Sequence, residues 1–128
     1  MTTIVWELPI KTVSEANSSE HWTVKAKRHR VQQFFVRMAF HAQKTQPTLP
    51  CCVKMTRLGG RRLDAKDNLP MALKYVADAI ADQLVPGLRP GMADDDPRIT
   101  WEYAQEKAKK PGIRIEITYD TSSQSGSS

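Results

Sequence analysis

Hydrophobic periodicity divides the chain into six segments. Thr2 to Leu8 (TTIVWEL) is rich in β-branched and aromatic residues, and Pro9 stops it, so a first strand is expected there. Residues 10–20 are polar and end in Asn17-Ser18-Ser19-Glu20, with Ser18 or Ser19 placed to cap a helix. From His21 to about Gln46 the pattern is helical. Val31, Phe34, Phe35, Met38 and Ala42 recur at helical spacing as one apolar stripe, expected to face the core. Pro47 and Pro50 break the chain, and Leu49 to Arg57 reads as a second strand. A second helix is expected from about Asp67 to Leu84. Pro70 fits only its first turn, which fixes the start near Asn68 or Leu69. On that helix Leu69, Leu73, Val76, Ile80 and Leu84 fall within one arc, the expected core face.

Beyond a Pro-Gly-rich loop over residues 85–96, two alternating runs follow. Ile99, Trp101 and Tyr103 predict a third strand, and Ile113, Ile115 and Ile117 a fourth. The short basic turn Lys109-Lys110-Pro111-Gly112 between them predicts a hairpin. The order β-α-β-α-β-β predicts one small α/β (α+β) domain over residues 1–120, a mixed sheet flanked by two main helices. Thr121 to Ser128 (TSSQSGSS) reads as a disordered tail.

Composition narrows the class. A length of 128 residues suits one domain with a real core. No apolar run approaches a membrane span, and Met1 to Pro9 lacks the features of a secretory signal, so a cytoplasmic protein is expected. Cys51 and Cys52 are adjacent; strand neighbours point to opposite faces, so two separate thiols are expected. The net charge of +5 is unevenly spread. Residues 1–63 hold eleven Lys/Arg against three Asp/Glu, and residues 64–128 hold eight against eleven. The first half supplies a positive field and the second half supplies carboxylates, a distribution that suits phosphate binding beside a metal.

Two acid clusters are the candidate chemistry. Asp64 and Asp67 precede the second helix, and Asp94, Asp95 and Asp96 precede the third strand. Helix capping and a polar turn would account for them at no chemical cost. Carboxylates converging from two places can instead hold Mg²⁺, which activates water against phosphorus. Asp67, Lys74 and Asp78 share the non-core side of the second helix. Lys74 and Asp78 form an ordinary i, i+4 pair on the plain reading. On the sharper one, Asp67 binds the metal and Lys74 neutralises the scissile phosphate. Lys25, Lys27, Arg28 and Arg30 on the first helix are candidates for a DNA-facing surface, or for a solvated face. His21, His29 and His41 show no ligand spacing.

The segments SEANSSEHW (Ser14–Trp22), RRLDAKDNL (Arg61–Leu69), LKYVADAI (Leu73–Ile80) and DDPRITWEY (Asp95–Tyr103), with Leu8-Pro9 before them, occur in one order. In these the chain resembles the RusA family of Holliday junction resolvases of phages and prophages. The resemblance implies a homodimeric Mg²⁺-dependent endonuclease, with Mn²⁺ as an alternative, that cuts four-way or other branched DNA in a bacterial host cell. It implies Asp64, Asp67, Lys74 and Asp96 as catalytic residues. Asp64, Asp67 and Asp96 are then metal ligands, with Asp95 as a further one. Arg62, with Arg61 beside it, looks like a DNA contact. One step departs from the family pattern Asp-x-Asp-Asn-Leu: Asp64 and Asp67 stand one residue further apart. A bulge would still let Asp64 reach the site. The alternatives are a branched-DNA-binding protein with an impaired site, or a small basic nucleic-acid-binding phage protein without catalysis.

Overall fold

The computed structural model describes residues 1–11, 22–60, 68–87 and 93–120, with the side chains at 68, 71 and 94 excepted. The elements are β1 (Thr2–Leu8), α1 (Trp22–Ala42), β2 (Cys51–Gly59), α2 (Asn68–Leu84), a single 3-10 turn (Ala93–Asp95), β3 (Ile99–Lys107) and β4 (Gly112–Tyr119). The predicted α+β architecture and its order of elements hold. The capping serines and the tail at 121–128 lie outside the described residues. No described helix is long and apolar enough to cross a membrane.

The four strands form one mixed sheet in the order β1-β4-β2-β3. β2 and β3 are parallel, with Cys51 opposite Ile99 and Gly59 opposite Lys107. Parallel neighbours need a crossover, and α2 supplies it. β4 is antiparallel to both β1 and β2. The expected β3–β4 hairpin is therefore wrong, because β2 lies between the two strands. The cause is burial. Ile113, Ile115 and Ile117 are all fully buried, so β4 takes an interior position, and β3 keeps the edge with Tyr103 exposed. The connection passes over the end of β2, where the Ala108 amide donates to the Gly59 carbonyl at 2.9 Å.

Strand alternation sorts the sheet into two faces. Ile4, Ile113, Ile115, Ile117, Val53, Met55 and Ile99 point into the core. Arg114, on the opposite face, pairs with Glu106 at 2.7 Å and with Glu7 at 3.4 Å. Arg114 and Glu106 stand on strands separated by β2, and Thr56 between them is buried. Cys51 is buried and Cys52 half-buried, both as free thiols, as expected of neighbours on opposite faces. Burial, reinforced by Cys52 beside it, pushes the Cys51 thiol up to about 11, so it stays protonated at neutral pH.

α2 is the inner helix. Leu69, Leu73, Val76 and Ile80 are buried as its periodicity predicts, with Leu84 packed at their edge. Ala72, Ala77, Ala79 and Ala81 are buried as well, so the helix is covered on more than its sheet side. α1 packs on α2, and at its C-terminal end reaches β1, where Phe40 meets Trp6 edge-on at 4.9 Å between ring centroids. The Trp6 indole also donates to Gln43 at 3.2 Å.

The predicted core face of α1 is a second correction. Gln32, Val36 and Phe40 are its buried residues. Val31, Phe34, Met38 and Ala42 are exposed, and Phe35 is only half-buried. The helix has two apolar stripes, and the longer one faces away from the core. Phe40 is buried against Trp6, and Val36, one turn before it on the same side of the helix, lies in the same core cluster.

Candidate functional site

Lys74 stands in the second turn of α2, on its wet side, with its side chain 49% exposed. Its ammonium lies 3.5 Å from Asp78 Oδ2, one turn on, and 5.8 Å from the ring centroid of Tyr75. Tyr75 stacks on His29 of α1, with ring centroids 3.5 Å apart and planes 21° from parallel. The amine thus sits near the junction of the two helices, with Asp78 as its counter-ion among the described residues. A lysine N-terminal to its acid is the weaker orientation of an i, i+4 pair.

Asp96 lies where β3 begins. Its amide donates to Ala93 O at 3.1 Å, and its carbonyl accepts from the Ile99 amide at 3.1 Å. The Arg98 carbonyl in turn accepts from the Cys51 amide at 2.9 Å, which ties this turn to the start of β2. The Asp96 side chain is only 12% exposed and is held by three donors. Oδ1 accepts from the Arg98 amide at 2.9 Å and from Nε at 3.0 Å, and Oδ2 accepts from Nη2 at 2.8 Å. The first of these closes an Asx turn, and the other two form a bidentate fork. The side-chain and backbone bonds to Arg98 hold the Asp96 carboxyl down to about 2, so it is an anion at any physiological pH. Asp95 is exposed beside it.

The basic residues of α1 divide between two sides. Lys25 and Arg28 are half-buried, whereas Lys27 and Arg30 are exposed. Arg61, Arg62, Asp64 and Asp67 lie outside the described residues, as does the side chain of Asp94. Lys74 and Asp96 are on separate elements, and the polar contacts described for each go to neighbours in sequence rather than to each other. Among the described residues no group of three His, Cys, Asp or Glu side chains is placed to hold a metal ion. Asp95 and Asp96 have the hard oxygen donors that Mg²⁺ takes, but a full site needs further ligands.

Two features escaped sequence reasoning. The His29–Tyr75 stack joins residues far apart in the chain and leaves no local signal. Arg98 did leave one, since Asp-x-Arg before a strand is an Asx turn with a cation in reach.

That pair gives a direct prediction. A carboxyl depressed on folding adds stability above its unfolded pKa of about 4, and that stability is lost as pH falls toward the folded value. For Asp96 the window runs from about 4 down to about 2. In Arg98→Ala, ¹³C-detected titration should show the Asp96 carboxyl moving up toward the ordinary range. Acid unfolding should lose the part of its pH dependence that falls in this window. An unmoved carboxyl would mean that other groups hold the anion.

No protein-family model matches the chain, and no curated protein matches it.

Proposed function

We propose that the chain is a Mg²⁺-dependent, structure-selective endodeoxyribonuclease that resolves Holliday junctions by paired symmetric hydrolysis of phosphodiester bonds. The reading rests on the ordered segments shared with RusA-type resolvases. The observation that supports it most is the position of Lys74. This cation is presented on the exposed side of α2, directly after the segment that carries Asp64 and Asp67. Asp64, Asp67 and Asp96 would hold the metal, with Asp95 in reserve. Bound there, Mg²⁺ supplies an activated water and neutralises phosphate charge. Lys74 leaves Asp78 to meet the scissile phosphate, and Asp96 contributes a fixed negative charge. Arg61, Arg62, Lys25, Lys27, Arg28 and Arg30 would hold the DNA backbone. A homodimer supplies the two sites that two symmetric cuts require. The setting is the cytoplasm of a bacterial host carrying a phage or prophage.

A second reading, a branched-DNA-binding protein with an impaired site, is favoured by one observation. Lys74 is engaged by Asp78 and Asp96 by a bidentate Arg98, contacts that each must yield before either meets a metal or phosphate.

One assay separates them. The protein is incubated with a synthetic four-way junction and, in parallel, with linear duplex. Paired nicks in Mg²⁺ are expected, with tighter binding to the junction. Binding in Ca²⁺ without nicking in Mg²⁺ or Mn²⁺ would leave only the second reading. Equal affinity for both DNAs would remove junction selectivity.

A further inference from the structure

The outward side of α1 carries an apolar ridge that neither reading uses, flanked by Lys27 and Arg30, two of the cations that the proposed function shares with DNA. Val24, Val31, Phe34 and Met38 are 48, 44, 53 and 50% exposed. At about 100° per residue they form one ridge, roughly opposite the buried Gln32, Val36 and Phe40. The whole helix has five Lys/Arg and no carboxylate. Lys27 interrupts the ridge, and Arg30 and Arg37, two turns apart, follow one flank. All three are exposed. Asp82 of α2 lines a shallow groove with Gln33 and Arg37, so the charge toward the N-terminal half of the ridge is the less balanced.

We propose that this ridge docks an acidic amphipathic helix of a partner protein. The partner lies along α1, with apolar side chains over Val31, Phe34 and Met38 and carboxylates beside Lys27 and Arg30. Helix pairing by residues at i, i+3, i+4 and i+7 needs an apolar stripe of this kind. Charge selects the occupant. A second copy would bring two acid-free, cationic helices together, and its arginines would face like charge. Duplex DNA offers phosphates to Lys27 and Arg30 but nothing apolar to cover Phe34 and Met38.

The probe is a synthetic amphipathic helical peptide with leucines on one face and glutamates on its flanks. Its twin carries lysines in place of the glutamates. By fluorescence anisotropy the native protein should bind the Glu peptide at least about tenfold more tightly than the Lys twin, the level expected when a few anchors carry the energy. The double variant Phe34→Ser/Met38→Ser alters exposed positions, so its melting curve should match that of the native protein while Glu-peptide binding falls at least about tenfold. Arg30→Glu should narrow or reverse the preference between the peptides. Absence of saturable Glu-peptide binding, equal binding of the twin, or full binding by the double variant would each overturn the proposal. So would a native dimer in sedimentation that the double variant lacks, which would make a second copy the occupant. Oligo(dT) binding that the double variant loses would make single-stranded nucleic acid the occupant instead.

Discussion

Asp67→Asn is expected to lower four-way-junction cleavage by about a hundredfold or more while leaving junction binding in Ca²⁺ nearly unchanged. The substitution keeps the size of the side chain and removes its charge. A metal ligand that loses its charge weakens the ion and its bound water together, and a loss of about 3 kcal/mol in transition-state stabilisation is a factor of roughly a hundred. Folding should not obscure the result. Asp67 directly precedes Asn68, the first residue of α2, and Asn caps a helix about as well as Asp. The measurement is the single-turnover rate on a labelled junction, beside gel-shift affinity. An unchanged rate would take Asp67 out of the site. A proportional loss of binding would make it a structural residue of the DNA surface.

Ile115→Ala should produce the largest loss of stability of any single core truncation in the sheet. Ile115 is fully buried in β4, between Trp6 of β1 and Met55 of β2. Removing its outer carbons leaves a cavity bounded by two paired strands that cannot close in without breaking their ladders. Such truncations cost about 2–5 kcal/mol, and the upper half of that range applies where collapse is blocked. Against a total stability of about 5–15 kcal/mol this is a large share. The urea midpoint should fall with little change in slope, and the melting temperature should drop by about 10 °C or more. A loss below about 1 kcal/mol would show that the sheet repacks around the gap.

The elements were legible because each rests on local rules. Pro9 ends β1, Pro70 sits in the first turn of α2, and the three isoleucines of β4 alternate without interruption. The inner face of α2 followed from spacing alone, since its other sides hold mostly alanines and polar residues. Sheet order was not legible. The four residues between β3 and β4 fit a hairpin, and only the burial of β4 against β1 and β2 reveals the strand inserted between. The orientation of α1 failed for a related reason. Two apolar stripes compete on one helix, and the surfaces that decide between them, α2 and Trp6 of β1, lie outside the local pattern. Of the candidate site, the sequence revealed the Lys74–Asp78 pair through its spacing. It also marked Asp96, but not the arginine that claims it.

The position of β4 also sets when this protein can finish folding. Of the four strands, the interior strand β4 is the last in chain order, and its partner β1 is the first. Thr2 lies beside Tyr119, so β1 must wait until all the other strands have been made for its mate. Until then β1 and the inner edge of β2 present open backbone groups with apolar side chains. Non-local pairing of this kind is slow and leaves the nascent chain prone to aggregation. Closure of the sheet thus waits for β4, which enters as a wedge between β1 and β2. A permuted chain that joins the two ends and opens elsewhere would pair β1 with β4 as a local hairpin and relieve the delay.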